Sequence, residues 1–499
     1  VAFILYALLG DLFAGSLAAR PVDWQKLTGY LALDVNGILG LPMGVAATIV
    51  IAFLLFGRLL TITGGSGFFT DVSMLAMGRF RGGPAKIAVV ASGLFGSISG
   101  SAVANVAATG VVTIPMIKRI GYPAHNAAAI EAVASNGGQI APPVMGASAF
   151  LMAEFLEVPY ADVVLAALVP GVLYYVALFI QADLEAARLG AQGLTRADMP
   201  SARQVLSGLN FAVPYAVLIV ALFKYNQPPQ LAALLGVVAL VVLALEFGYR
   251  GRRPTARQLL GVFADAGMAS LDIVLVCVAA GIVIGVLGIT GLGFNLTLLL
   301  VQIGEGSLVM LLGLAAIVCI VLGMGLPTVG VYVLLAALVA PALVQVGVQP
   351  MAAHLYVMYF GMMSMITPPV AIAAFAAASI AGAEPMRSGW AAVRFGWMAY
   401  VVPFLFVLSP ALIMQGAAAD VALACATAVL GVWLVSIAVV GHLFARVSAL
   451  MRALFAAAGL ATLVPAQAFA GAALTDAIGV AVGLVLLGFE YNKMRQNAA

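Results

Sequence analysis

Residues 135–144 read SNGGQIAPPV and residues 361–370 read GMMSMITPPV, so two runs that end in Pro-Pro-Val lie 226 positions apart. Each run interrupts a long apolar segment, 124–157 in the first case and 351–381 in the second. Proline removes a backbone donor and breaks the hydrogen-bond ladder of a helix interior. We therefore predict that each segment is a discontinuous helix.

The composition indicates that lipid surrounds most of the chain. Of 499 residues, 64% are hydrophobic and 8% are charged, whereas soluble domains carry about 25% charged residues. This balance predicts an all-α polytopic membrane protein in a lipid bilayer, and it excludes a soluble enzyme, a nucleic-acid binder and a disordered scaffold. The sequence also lacks a P-loop and the His-Glu-x-x-His pattern of metalloproteases. We expect no enzymatic activity.

Apolar segments long enough to cross a bilayer recur along the chain, since a crossing helix needs about 20 largely apolar residues. Besides the two discontinuous helices, the candidates are 2–19, 37–57, 162–182, 211–224, 230–249, 266–288, 395–414, 421–445, 453–470 and 477–490. Segments 87–117 and 307–347 are interrupted near their centres by Gly, Ser or Pro, which favours re-entrant helical hairpins. With that topology all but three of the 22 basic residues (Arg20, Lys26 and Lys224) fall on one side, as the positive-inside rule requires.

The offset of 226 residues extends beyond the Pro-Pro runs. Pro115 matches Pro341, and Gly67-Phe68 matches Gly293-Phe294. Because proline and glycine punctuate backbone shape, these matches indicate two copies of one element order. Five predicted crossings separate equivalent points, and an odd number places the second copy upside down. Inverted repeats with discontinuous helices are typical of secondary transporters.

Small and hydroxyl residues cluster at the predicted breaks. The first hairpin turns at residues 96–101 (GSISGS), and the second at residues 323–328 (GMGLPT). Unwound carbonyls together with Ser, Thr and Asn oxygens form a neutral oxygen cage that suits a monovalent cation, and half-helix N-termini suit a carboxylate. Such residues also allow close helix packing in lipid. That alternative stays open for any single position.

Two acidic residues lie inside apolar helices, Glu131 and Asp272. Acids within membrane helices are functional candidates by default. Both lie within a few turns of predicted helix ends, so interfacial placement or a structural hydrogen bond is an equally good interpretation.

The amino-acid sequence of these stretches resembles that of a known family. The run RGGPAK at 81–86, FGSISGSAVAN at 95–105 and AVASNGGQIAPPVMG at 132–146 are similar to the large membrane (permease) subunit of TRAP transporters, the tripartite ATP-independent periplasmic transporters. They resemble its TAXI branch in particular. The similarity extends from about residue 30 to about residue 415.

The resemblance implies a sodium-coupled, elevator-type importer in the cytoplasmic (inner) membrane of a bacterium or archaeon. A periplasmic TAXI-type substrate-binding protein would deliver an organic anion, such as a dicarboxylate, and a small membrane subunit would be supplied by another chain or be partly fused here. By position, one Na⁺ site falls on Ser97, Ser99, Asn105, Asn136 and Gly138. A second falls on Gly323, Gly325, Thr328, Met365 and Thr367, and the substrate falls beside them on Ser101, Gly137, Gln139, Pro327 and Ser364.

The expected organisation follows chain order: an N-terminal span and connection (1–36), the first inverted repeat (37–249), the second (250–415) and additional C-terminal helices (416–499). We expect hairpins and broken helices to form a transport domain between scaffold arms that include 64–79 and 291–303. The alternative functions are an ion channel and a non-transporting membrane receptor. Channels usually show charge rings or repeated filter sequences, and neither is evident.

Overall fold

The protein is helical throughout the part that the computed structural model describes, residues 1–247, 249–250, 253–303, 307–469 and 471–498. Its first thirteen α-helices are α1 Ala2–Leu8, α2 Trp24–Leu33, α3 Leu41–Val45, α4 Ile51–Ile62, α5 Gly65–Met77, α6 Gly83–Ser99, α7 Ala102–Arg119, α8 Ala124–Gly137, α9 Ala147–Leu156, α10 Tyr160–Leu189, α11 Ala202–Leu206, α12 Ala212–Ile219 and α13 Pro229–Glu246.

The remaining helices belong to the second half of the chain. They are α14 Ala256–Thr290, α15 Leu292–Ile303, α16 Leu308–Gly323, α17 Thr328–Leu338, α18 Ala340–Gln345, α19 Pro350–Met363, α20 Ile372–Ala381, α21 Pro385–Phe395, α22 Trp397–Leu408, α23 Ala418–Val440, α24 Ala449–Leu463 and α25 Ala472–Ala498.

Among the described residues, eight helical segments are long and apolar enough to cross a membrane: Leu41–Ile62, Tyr160–Leu189, Pro229–Glu246, Ala256–Thr290, Thr328–Gln345, Pro385–Leu408, Ala418–Val440 and Ala472–Gln496. All but Thr328–Gln345, which belongs to the second predicted hairpin, coincide with spans expected from apolar length alone. The expected all-helical polytopic membrane protein is therefore confirmed.

Three expected spans differ from the structure. The span at 211–224 lies within the helical segment Leu209–Lys224, which is bent by 59° from the preceding segment Arg196–Leu206. Around 453–470 the chain forms the shorter helix α24. A continuous helix over 2–19 is wrong, because α1 ends at Leu8 and two short 3₁₀ turns follow. The Ala19 amide donates to the Gly10 carbonyl at 2.9 Å, so this segment doubles back within a distance too short for a crossing.

The bounds of several helices recur along the chain at close to the 226-residue offset seen in the sequence. Helix α8 (124–137) corresponds to α19 (350–363), α9 (147–156) to α20 (372–381), and α6 (83–99) to α16 (308–323). The Pro142–Pro143 and Pro368–Pro369 peptide bonds are both cis. The helix bounds thus follow the sequence offset. The repeat, the inversion of its second copy and the re-entry of the hairpins stay predictions.

The chain divides into two compact units, each assembled from separate stretches. The first comprises Val1–Gly65, Gly146–Val163 and Gly208–Ser364. In it the long helix α14 packs against α4 and α17, and α19 packs against α16 and α17. This unit therefore contains the second predicted hairpin, α16 to α18.

The second unit comprises Ser66–Met145, Val164–Ser207 and Met365–Ala499. Here α6, α7 and α8 pack on one another, α20 and α21 cover α8, and α23, α24 and α25 form a C-terminal bundle. The segments of each unit come from both halves of the chain. The expected domain boundaries at 36, 249 and 415 follow the repeats rather than this packing and stay a prediction.

Candidate functional site

The first hairpin turns sharply at the predicted GSISGS run. Helix α6 ends at Ser99, and the C-cap residue Gly100 adopts a left-handed conformation (φ 61°) and donates its amide to the Gly96 carbonyl. Ser101 then caps α7, its Oγ accepting a hydrogen bond from the Ala104 amide at 3.4 Å. Glycine is the residue that adopts positive φ without steric cost. The position of the turn could therefore be predicted from the sequence.

The tip of the first hairpin contacts the broken helix through two glycines, Gly96 and Gly138. A Cβ added to Gly138 would lie 2.4 Å from Gly96 Cα, and a Cβ added to Gly96 would lie 2.5 Å from Asn105 Nδ2. Asn105 is fully buried and donates to the Ser92 carbonyl at 2.8 Å. Two of the predicted ion-site residues, Asn105 and Gly138, therefore meet across the contact between α6, α7 and the end of α8.

The polar side chains nearest the break are buried, and some of their oxygen atoms have no hydrogen-bond partner in the described ranges. Gln139 Nε2 donates to Asn136 Oδ1 at 3.1 Å, and both residues are fully buried. Ser97 Oγ donates to the Leu94 carbonyl. Within the described residues, Ser99 Oγ and Gln139 Oε1 are buried and have no hydrogen-bond partner. These two oxygens are free to bind a ligand.

Two tyrosines that the sequence reasoning missed hold the end of α8. Tyr174 and Tyr175 of α10 donate to the carbonyls of Val133 and Ala134 at 2.6 Å and 2.8 Å. A Cβ added to Gly137 would lie 2.3 Å from Tyr174 Cε1. Gly137 thus leaves room for the ring, and the helix break is held rigidly. The adjacent pair of tyrosines in the apolar stretch 163–180 of α10 was the available signal.

The second hairpin makes the matching contact in its own unit. Ser364 Oγ donates to the Gly323 carbonyl at 2.9 Å and to the Gly361 carbonyl at 2.6 Å, and a Cβ added to Gly323 would lie 2.8 Å from that Oγ. Gly325 has φ 83°, and Pro327 precedes α17, which begins at Thr328. Position 364 is the equivalent of position 138. In both hairpins the first helix therefore ends against the same point of the next broken helix.

The other predicted residues of the second set, Met365 and Thr367, belong to the unit that holds the first hairpin. The Met365 carbonyl accepts from the Ala373 amide at 3.0 Å. Thr367 Oγ1 lies 2.7 Å from the Tyr400 hydroxyl, a partner that the sequence did not suggest. The structure thus brings Asn105 and Gly138 against Gly96 in one unit, and Gly323 against Ser364 in the other. Met365 and Thr367 directly follow Ser364 in the chain.

The two acids singled out from the sequence have different environments. Asp272 is exposed on α14, so it is not an interior acid of its unit. Glu131 is fully buried and hydrogen-bonded to hydroxyls of α6, α7 and its own helix. Of the two, Glu131 alone fits the expectation of a buried functional acid.

Ion pairs fasten α10 to the elements around the first hairpin. Asp183 binds Arg81 and also Lys86, whose Nζ lies 2.6 Å from Asp183 Oδ1. Glu185 pairs with Arg188 at 2.5 Å and with Arg394 at 3.5 Å. The basic partners lie on the side where the sequence predicts most of the basic residues. The two Asp183 pairs hold the start of α6, at the end of that helix away from the hairpin tip.

Comparison with known proteins assigns the family. A family model described as the tripartite ATP-independent periplasmic transporter, DctM component, matches residues 1–421. The chain belongs to this family. It is therefore a multi-pass transporter permease component rather than an enzyme, and permeases of this family act with a periplasmic substrate-binding protein and often with a small membrane subunit.

Relatives of this DctM-type permease include named transporters. It is 26% identical over 361 residues to the C4-dicarboxylate TRAP transporter large permease protein DctM of Pseudomonas aeruginosa, covering 72% of this chain and 82% of that one. It is 24% identical to the 2,3-diketo-L-gulonate TRAP transporter large permease protein YiaN of Escherichia coli, covering 72% and 87%. It is 25% identical to the isethionate TRAP transporter permease protein DctMQ of Oleidesulfovibrio alaskensis, covering 76% and 57%.

The fold of the DctM-type permease is similar to that of a solved transporter. The YdaH transporter of Alcanivorax borkumensis superposes with a TM-score of 0.56 at 17% identity, over 81% of this chain and 96% of that one. At this identity the likeness concerns the fold alone.

Proposed function

We propose that this permease is the sodium-coupled membrane component of a TAXI-type TRAP transporter that imports an organic anion across the inner membrane. The single observation that carries the proposal is the contact of the first hairpin tip with the helix break at Gly138. In the part of the chain that the structure describes, two buried oxygens near that contact have no hydrogen-bond partner: Ser99 Oγ, which belongs to the proposed sodium site, and Gln139 Oε1, which belongs to the proposed substrate contacts.

Sodium fits the chemistry of these residues. The atoms that would bind a cation at the first break are hydroxyl oxygens, side-chain amide oxygens and backbone carbonyl oxygens. All are neutral oxygen ligands, which hard cations prefer. The predicted first site is formed by Ser97, Ser99, Asn105, Asn136 and Gly138. The repeat predicts a second site from Gly323, Gly325 and Thr328. Met365 and Thr367, which were predicted with them, belong to the other compact unit. Sodium bound at a hairpin tip would hold the tip against the break, which is the arrangement that substrate binding requires.

An organic anion fits the neighbouring groups. Helix α7 begins after Ser101 and α17 begins after Pro327, and helix N-termini carry positive partial charge that favours a carboxylate. Gly137, Gln139 and Ser364 complete the proposed substrate contacts. The named relatives transport a C4-dicarboxylate, a diketo-gulonate and isethionate, and all three are organic anions. The substrate proposal therefore stops at that class.

In the elevator mechanism that we propose, the hairpins and broken helices move as a transport domain between scaffold arms formed by α5 and α15. A periplasmic TAXI-type binding protein delivers the anion, and a small membrane subunit completes the complex. Sodium binding preorganises the tips before the anion arrives, so movement of the empty site is disfavoured.

Reconstituted transport tests this function. The permease with its small subunit is placed in proteoliposomes, and uptake of radiolabelled C4-dicarboxylates is measured with and without the cognate binding protein. We expect uptake only with an inward sodium gradient and only with the binding protein. Saturable uptake without a sodium gradient would refute sodium coupling. Non-saturable flux would indicate a channel, and binding of the binding protein without any flux would indicate a receptor.

Two substitutions test the ion sites. Asn136→Ala and Thr367→Ala each remove a proposed oxygen ligand, so the half-saturating sodium concentration for uptake is expected to rise about tenfold, equivalent to roughly 1.4 kcal/mol. Thr427→Ala, in α23 of the C-terminal bundle, is the matched control and should leave sodium activation unchanged. Wild-type sodium activation in both site variants would contradict the assignment.

A further inference from the structure

Glu131 is a buried acid that the proposed sodium and substrate sites do not use. It lies on α8 with its side chain fully buried. Its Oε1 accepts hydrogen bonds from Thr109 Oγ1 at 2.6 Å, Ser92 Oγ at 2.8 Å and Ser135 Oγ at 3.1 Å. Its Oε2 accepts from Thr113 Oγ1 at 2.5 Å. Four hydroxyls from α6, α7 and α8 thus surround one carboxyl group.

No cationic side chain pairs with Glu131 in the stretches of chain that the structure describes. On α6, Lys86 binds Asp183 of α10. On α7, Lys118 donates to the Ala381 carbonyl at 2.6 Å. On α21, Arg394 pairs with Glu185 of α10.

The other titratable or charged groups of the surrounding helices are also placed elsewhere. The hydroxyls of Tyr174 and Tyr175 bind carbonyls of α8, and helix α20 contributes no ionisable residue. Arg119 and Arg387 are exposed at helix ends, and His125 is half-buried in the first turn of α8. The carboxyl group therefore has no counter-charge in this arrangement.

A carboxylate without a counter-charge is costly to bury, whereas a neutral carboxyl with hydrogen-bond partners is tolerated. The hydroxyl shell serves both forms, because each hydroxyl donates one hydrogen bond and accepts two. Thr113 Oγ1 also lies 3.1 Å from the Thr109 carbonyl. When Thr113 donates to that carbonyl, its Oγ1 can accept a hydrogen bond from the protonated Oε2 of Glu131.

The same exchange is available at Thr109. Its Oγ1 lies 2.9 Å from the Asn105 carbonyl and 3.0 Å from Ser92 Oγ, so its hydroxyl can turn away from Glu131. Ser135 Oγ donates to Glu131 Oε1 and can remain a donor in either state. The network can thus rearrange by hydroxyl rotation alone when a proton is added or removed.

We propose that Glu131 is a proton-binding site of this permease, where the carboxylate takes up one proton on Oε2 and releases it again during the transport cycle. The incoming proton comes from water, and the resulting O–H donates to Thr113 Oγ1. Helix α7 packs tightly on the site, because a Cβ added to Gly110 would lie 3.2 Å from Glu131 Cγ. Exchange with water therefore requires α7 to move relative to α8, which ties the proton to motion of the hairpin. This inference goes beyond the proposed sodium and anion sites.

Infrared difference spectroscopy on the full-length permease in lipid nanodiscs tests the proposal without sodium or substrate, so its outcome is independent of the transport assay. The probe is the proton itself, with pH varied in steps and the carbonyl stretch of protonated carboxylic acids recorded. We expect a band of a buried acid that titrates with pH and is absent in Glu131→Gln. Glu490→Gln, which removes another buried acid in α25, is the matched control and should retain this band.

A second variant keeps the test decisive if Glu131→Gln fails to fold. Thr113→Val removes the one hydroxyl that binds Oε2 in either form. The carboxylate loses more than the neutral acid does, because a hydrogen bond to a charged acceptor is the stronger one. The pH midpoint of the band is expected to rise by about one to two units, whereas Thr462→Val, in the C-terminal bundle, should not change it. A band that persists in Glu131→Gln, that never titrates, or whose midpoint is unmoved by Thr113→Val would overturn the proposal.

Discussion

Replacing Gly138 by alanine would place a methyl group inside the contact between the first hairpin and the broken helix. The added Cβ would lie 2.4 Å from Gly96 Cα and 2.5 Å from Gly96 C, whereas ordinary contacts begin at 3.4 Å. Both neighbouring atoms are backbone, so no side chain can rotate away. The hairpin tip must therefore shift by about 1 Å, and overpacking of this kind costs about 1–3 kcal/mol.

If that cost opposes the sodium-bound arrangement, apparent sodium affinity falls roughly 5- to 150-fold. The assay is sodium activation of uptake in proteoliposomes, with thermal unfolding of the purified permease measured in parallel. Gly267→Ala is the control, because the added Cβ meets open space on α14 and alanine favours a helix interior by about 1 kcal/mol. Wild-type sodium activation in Gly138→Ala would refute the role given to this contact.

Two further predictions concern the second hairpin and the ion pairs of α10. Gly323→Ala should lower the free energy of unfolding by about 1 kcal/mol, because its Cβ would lie 2.8 Å from Ser364 Oγ. Adding Ser364→Ala to this variant should recover part of the lost thermal stability. Strictly additive losses would contradict the contact. Lys86→Met removes the nearly buried partner of Asp183 and should lower unfolding free energy by about 1–2 kcal/mol. An unfolding temperature equal to that of the exposed control Lys26→Met would count against the pairing.

Much of the fold could be predicted from apolar length. The long helices α10, α14, α23 and α25 were expected because a run of apolar residues in lipid has few alternatives to a helix. The N-terminal segment 2–19 failed the same rule. Its composition suits a crossing helix, but the Ala19 amide donates back to the Gly10 carbonyl, nine residues earlier, and apolar length carries no information about such a contact.

The candidate site was predicted in part, because Gly, Pro and hydroxyl residues mark where a helix is broken. The partners of those residues were missed. Asn105, Thr109 and Thr113 recur every four residues on α7 and form a polar stripe facing α6 and α8. That spacing was readable from the sequence, whereas the contact of Tyr400 with Thr367 joins residues 33 positions apart and was not.

The sequence by itself determined the solvent, the helices and the positions of the breaks, because hydropathy and the backbone limits of proline and glycine act locally. The tertiary structure alone decided which break meets which tip, and that Glu131 is enclosed by hydroxyls while Asp272 is exposed. Those outcomes depend on which helix faces pack together, a property of contacts between distant residues that no local pattern specifies.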